Sequence, residues 1–114
     1  MDDIGEQLAS EGKVVRIETR GRVSGRPAHA AVGFVEEADG SLLVAAGDPD
    51  ADWARNLDVA PFARATIGDE THEVVAERLE GPAHAAAVTV LILKYGTPAE
   101  RLGRGPAYRL RRRV

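Results

Sequence analysis

At 114 residues, 44% of them apolar and 29% charged, the chain has the length of a single domain with one core. The absence of cysteine excludes disulfides and thiolate-held metal and fits a reducing compartment. The net charge of −3 gives no general attraction to nucleic acid or to an anionic membrane. The longest apolar run, 85–93, is far too short to span a bilayer.

The start, Met1 followed by two aspartates, does not resemble a secretory signal, so the expected location is the cytoplasm. Ile4 and Leu8 are spaced like the apolar face of a short helix that Gly12 stops. From Lys13 to Arg20 the pattern alternates. Val15, Ile17 and Thr19 face one way, Arg16, Glu18 and Arg20 the other, as in a strand with one wet face. Gly21 to Gly25 makes a turn into a second strand, Arg26 to Glu37. Gly33 in the middle of that run predicts a bend or a close backbone approach. Ala38-Asp39-Gly40 signals a hairpin, and Ser41 to Ala46 is apolar on both faces, as a central strand is.

An acidic turn then leads into a short helix carrying the only tryptophan, Trp53. Asp50 or Asp52 is placed to cap it, and Trp53 and Leu57 share its buried face. Pro61 forces Ala60 into extended geometry and ends the helix. Phe62 to Ile67 and Thr71 to Leu79 form a further strand pair. Gly81-Pro82 opens the longest helix, with Val88, Leu91, Ile92 and Tyr95 on one stripe and Gly96 as its stop. Ala107 to Val114 is the last strand. Six strands, one short and one longer crossover helix, and a short N-terminal helix predict a mainly β (α+β) fold. The whole of 1–114 is then one closed or partly closed barrel domain.

His29, His72 and His84 do not stand at metal-ligand spacing, and no nucleophile elbow or catalytic triad is visible. Glu36-Glu37 and Asp48, Asp50 and Asp52 could chelate calcium, or could serve capping and solvation alone; no EF-hand glycine or terminal glutamate follows them. The arginines at 109 and 111–113 read as a solvated strand face, with phosphate contact as the alternative. The first turn, GRVSGRP, has two readings. Its amides can form an anion-holding nest with Arg22 and Arg26 supplying charge, or it is a plain hairpin with exposed arginines. The second helix also carries apolar residues off its main stripe, Val90 and Leu93, which predicts a homodimer.

The stretch Glu18-Thr19-Arg20 followed by Gly21 to Pro27, the strand Leu42 to Ala46, and the set Trp53, Asn56, Leu57 and Pro61 occur in one order. Together they resemble the deazaflavin (coenzyme F420)-dependent nitroreductase and quinone reductase family of the split β-barrel flavin-binding superfamily. The resemblance implies a six-stranded split barrel and an F420 coenzyme, a flavin-like ring with an anionic phospholactyl-polyglutamate tail. It further implies that Arg22, Val23, Ser24, Gly25 and Arg26 take the phosphate or tail, with Ala46, Gly47, Trp53 and Asn56 beside the coenzyme. The implied chemistry is hydride transfer to a small electron-poor acceptor such as a quinone, enone or nitro compound. Such a step asks little of side chains beyond positioning and exclusion of water. Tyr95 and Tyr108 are the available proton donors. This chain has Val23 where the family has lysine, Ala28 where it has a basic residue, and Asp48 and Asp50 in a shortened loop. FMN, with one phosphate and no glutamate tail, is therefore the alternative cofactor, and a non-catalytic ligand-binding module the alternative role.

Overall fold

The computed structural model describes residues 12–96 and 103–113. In chain order the elements are β1 (Val15–Arg20), β2 (Pro27–Val32), β3 (Val35–Glu36), β4 (Leu42–Ala45), α1 (Asp52–Val59), β5 (Phe62–Ile67), β6 (Glu70–Leu79), α2 (Gly81–Tyr95) and β7 (Ala107–Arg112). The helix expected at Ile4–Leu8 lies outside the described residues.

All strands pair antiparallel in one sheet ordered β2-β1-β5-β6-β7-β4-β3. Its two edge strands, β2 and β3, are consecutive pieces of one chain segment, so the sheet curls into a half-barrel. The described residues form seven strands, where the sequence pattern predicts six, because Arg26 to Glu37 divides at Gly33-Phe34. Gly33 explains the division. A Cβ there would stand 2.9 Å from two ring atoms of Tyr95, so only glycine admits the ring against the backbone. The Phe34 amide donates to the Tyr95 hydroxyl (2.9 Å), and the Lys94 ammonium donates to the Phe34 carbonyl (2.6 Å). The end of α2 is thereby fastened across the break. On one side β2 pairs with β1, and on the other β3 pairs with β4.

The period-two pattern of β1 is realised: Val15, Ile17 and Thr19 are buried and Arg20 is exposed. The four residues of β4 are all buried, because two apolar clusters meet it. Leu42 and Val44 point into the barrel with Ile17, Val74, Tyr108 and Leu110. Leu43 and Ala45 lie under α2 with Leu79, Ala87 and Leu91. Each buried leucine, isoleucine or valine here contributes about 1.5–3 kcal/mol by leaving water.

One expectation is corrected at α1. Its N-cap is Ala51, and no side chain caps it. The carboxylate of Asp48 instead accepts from the Asp50 amide (2.8 Å), while Asp52 is the first helical residue, where its charge suits the positive helix end. Ala60 is extended (φ −135°, ψ 103°), as Pro61 requires.

Candidate coenzyme site

The β1–β2 turn closes on itself. The Gly21 amide donates to the Arg26 carbonyl (2.8 Å), the Gly25 amide to the Gly21 carbonyl (2.8 Å), and the Arg26 amide to the Ser24 hydroxyl (3.1 Å). Gly25 takes a φ of +73°, a left-handed conformation that favours glycine. Three of the amides assigned to an anion nest are thus already engaged within the turn.

The turn is also docked on α1. Asn56, 2% exposed, accepts from the Arg22 amide (3.1 Å) and from Arg22 Nη1 (2.8 Å), and donates to the buried Thr19 hydroxyl (3.0 Å). Arg22 Nη2 pairs with Asp52 Oδ1 at 3.0 Å, one helical turn before Asn56. Arg22, Ser24, Gly25, Arg26, Asn56 and the N-terminal half of α1 are therefore one assembly. Val23, at the tip, is 93% exposed. Trp53 is half-buried and leans on the core, its ring 5.8 Å from that of Tyr108 at a 59° tilt. Ala46 and Gly47 are brought elsewhere. The Ala46 amide donates to the Pro106 carbonyl (2.9 Å), and Gly105 leaves no room for a Cβ, which would run into the Ala46 carbonyl and stand 3.1 Å from that of Asp48.

Two open grooves flank this assembly. One, of about 350 Å³, runs beside the turn between Thr19, Arg20, Gly25, Pro27, Phe62 and Arg64. The other, of about 340 Å³, lies beside the β4–α1 loop between Pro49, Arg78, His84, Arg104 and Pro106. Arg20 and Arg26 are exposed at the turn, and Arg55 on α1, none with a carboxylate partner among the described residues. Arg64 and Arg109, by contrast, are raised in pKa chiefly by hydrogen bonds to Glu73 and Glu37 respectively. The donor set at the turn suits a negatively charged group, and Glu18 and Glu73 also line the groove beside it, Glu73 paired with Arg64 and Glu18 with His29.

Both tyrosines hold backbone. The Tyr95 hydroxyl donates to the carbonyl of Lys13 (3.0 Å) or Phe34 (3.1 Å). That of Tyr108 shares its proton between the Ala54 carbonyl (3.0 Å) and Asp58 Oδ1 (2.9 Å). Burial, reinforced by Asp58, pushes the Tyr108 pKa well above the ordinary phenol range. His29 pairs with Glu18 (3.0 Å) on the wet face of the sheet. Among the described residues no group of three potential ligands could hold a metal, and no helix is long and apolar enough to cross a membrane.

Sequence reasoning missed Thr19, Asp52 and Gly105. Asp52 and Asn56 stand four apart on one helix face, a spacing that signals their shared partner. Gly105 carries no such signal.

A curled antiparallel half-barrel with an arginine-bearing turn docked on a short tryptophan helix is the frame of a ligand-holding barrel. Residues 2–101 match the family described as F420H(2)-dependent quinone reductase, and the chain belongs to that family. It is a deazaflavin-dependent oxidoreductase whose cofactor is coenzyme F420. Among solved structures it is similar to an F420-H2-dependent reductase, FDR-A. The identity is 24% over 86% of this chain and 93% of the other, with a TM-score of 0.73. It is also similar to HutZ, described as a heme storage protein from Vibrio cholerae, at 22% identity over 96% and 87% of the chains (TM-score 0.75). A structure described as a domain-swapped dimer matches at 22% identity over 95% and 94% of the chains (TM-score 0.72). No curated protein matches.

Proposed function

We propose that this chain passes hydride from reduced coenzyme F420 to a small electron-poor acceptor: a quinone, an enone or a nitro compound. Arg20, Arg22 and Arg26 receive the anionic tail at the β1–β2 turn, with Val23, Ser24 and Gly25 shaping it. Trp53 borders the ring, and Asn56 fixes the turn against the helix that carries it; Ala46, 2% exposed and tied to Pro106, and Gly47 stand apart from the turn and are left out of this role. The observation that carries this reading is that docking, made through Arg22 and Asn56, beside two guanidinium groups with no carboxylate partner among the described residues. The bound reduced coenzyme supplies the hydride. The chain supplies charge for the tail, walls for the ring and restricted access for water. With both tyrosine hydroxyls engaged by backbone, the proton that follows the hydride onto the acceptor comes from solvent.

Trp53, the only tryptophan, makes the test direct. Titration with the coenzyme is expected to quench its emission at micromolar levels, and the loaded protein to reduce menadione-like acceptors. Absence of quenching by F420 in the folded protein overturns the reading, and a purified protein carrying a flavin absorption band favours FMN instead.

The chain works as a single cytoplasmic domain, 1–114, and as a homodimer. The solvent side of α2 carries Ala85, Ala86, Thr89 and Leu93 (80% exposed), with Lys94 as the only charged residue after His84. An apolar face of this kind is covered by association. A monomeric mass at micromolar concentration in sedimentation refutes the dimer.

A further inference from the structure

Among the described residues, the one acid that touches the candidate tail-binding turn is Asp52. Its Oδ1 pairs with Arg22 Nη2 at 3.0 Å, and its carbonyl lies 3.4 Å from Nη1. The two partners are held very differently. Arg22 is 23% exposed and fixed from within by buried Asn56, whereas the Asp52 side chain is 83% exposed. Breaking so exposed an ion pair costs little. The guanidinium therefore stays where it is while the carboxylate is free to swing aside. Asp48 and Asp50, both exposed, precede it in the same loop. An anion approaching Arg22 meets a negative charge already seated on the open edge of the fork.

We propose that Asp52 is a specificity-determining residue for the coenzyme tail, its carboxylate competing for Arg22 so that each added tail glutamate weakens the gain in binding. The site then favours short-tailed coenzyme. This rests on the reading that the turn receives the tail. Repulsion between two carboxylates about 6 Å apart at the surface corresponds to roughly a three- to tenfold change in affinity, shrinking as salt shortens the screening length.

The test is titration of wild type and Asp52→Asn with coenzyme F420 bearing a single glutamate and bearing a long polyglutamate tail, at low and high salt. Tryptophan quenching is the readout. Wild type is expected to bind the long-tailed form no more tightly than the short. Asp52→Asn is expected to bind the long-tailed form roughly three- to tenfold more tightly at low salt, with a smaller gain for the short form and little gain at high salt. Asp50→Asn, which removes a carboxylate that makes no contact with Arg22, is expected to give a smaller gain. Equal gains for both tails, or unchanged affinities in a folded Asp52→Asn, overturn the assignment while leaving the coenzyme reading intact. Wild type that binds neither form overturns both.

Discussion

Replacing Asn56 by alanine tests the joint on which the candidate site depends. The side chain is 2% exposed and makes three hydrogen bonds, all to β1 or the turn after it. Truncation strands the Thr19 hydroxyl, itself 2% exposed, with no donor. It also removes the acceptor of the Arg22 amide and of Nη1, one of them charge-assisted. Each neutral loss costs about 1 kcal/mol and the charged one about 1.5–3 kcal/mol, because the partners remain to be satisfied. Alanine returns about 0.5 kcal/mol through its higher helix propensity, and the half-buried arginine regains some water. The expected net loss is about 3 kcal/mol, a fall in Tm of about 12 °C for a domain of this size. Urea unfolding of Asn56→Ala, Arg22→Ala and the double variant measures it, with a coupling of about 1–2 kcal/mol between the two sites expected. A loss below about 1 kcal/mol, or effects of the two substitutions that simply add, refutes the argument that Asn56 holds the turn to the helix.

Gly105→Ala is expected to destabilise by about 3 kcal/mol, since the added Cβ would collide with the Ala46 carbonyl and lie 3.1 Å from that of Asp48. Backbone cannot swing away as a side-chain tip can, so a urea midpoint near that of wild type refutes the packing. Tyr108→Phe removes the hydroxyl proton shared by Ala54 and Asp58, with an expected loss of about 1–2 kcal/mol at neutral pH. The folded state holds the Tyr108 proton more tightly than the unfolded chain. That stabilisation is therefore complete below the ordinary tyrosine pKa of about 10 and declines as pH climbs beyond it. The stability gap between wild type and the phenylalanine variant should narrow above pH about 10, and a gap that widens there contradicts the assignment.

What the sequence made legible is what depends on near neighbours. The alternation of Val15, Ile17 and Thr19, the turn at Asp39-Gly40, and the ends of both helices at Ala60 and Gly96 rest on periodicity, glycine and proline, and the structure reproduces them. Gly33 was legible as a point of close approach, although the tyrosine that approaches it lies 62 positions along the chain and could not be named. The strand count failed at the same place, because one periodic run serves both edges of the curled sheet and only tertiary closure divides it. The capping expectation failed for a local reason. Asp48 turned its carboxylate to the Asp50 amide, leaving Ala51 at the cap and Asp52 free to face Arg22. Gly105 was illegible because its role is contact with a carbonyl from a loop almost sixty positions earlier.

The resemblance that identifies the family and the groups that can meet a coenzyme need not be the same residues. Asn56, Thr19 and the amides of Gly21, Gly25 and Arg26 all have partners inside the protein, so the fold itself accounts for those side chains and amides in their motifs. Arg22 is intermediate, with one nitrogen fixed by Asn56 and the other on an exposed carboxylate. Among the described residues, charge left over for a ligand near the turn and α1 resides on Arg20, Arg26 and Arg55, which the fold does not consume, and Arg104 stands likewise beside the second groove. Motif residues of the first kind govern stability and alignment when mutated, and the unpartnered arginines govern affinity and its dependence on salt. On this division Arg26→Ala should weaken coenzyme binding with little change in unfolding midpoint, whereas Asn56→Ala lowers both. A protein in which Arg26→Ala unfolds as easily as Asn56→Ala would place that arginine among the structural residues and remove it from the site.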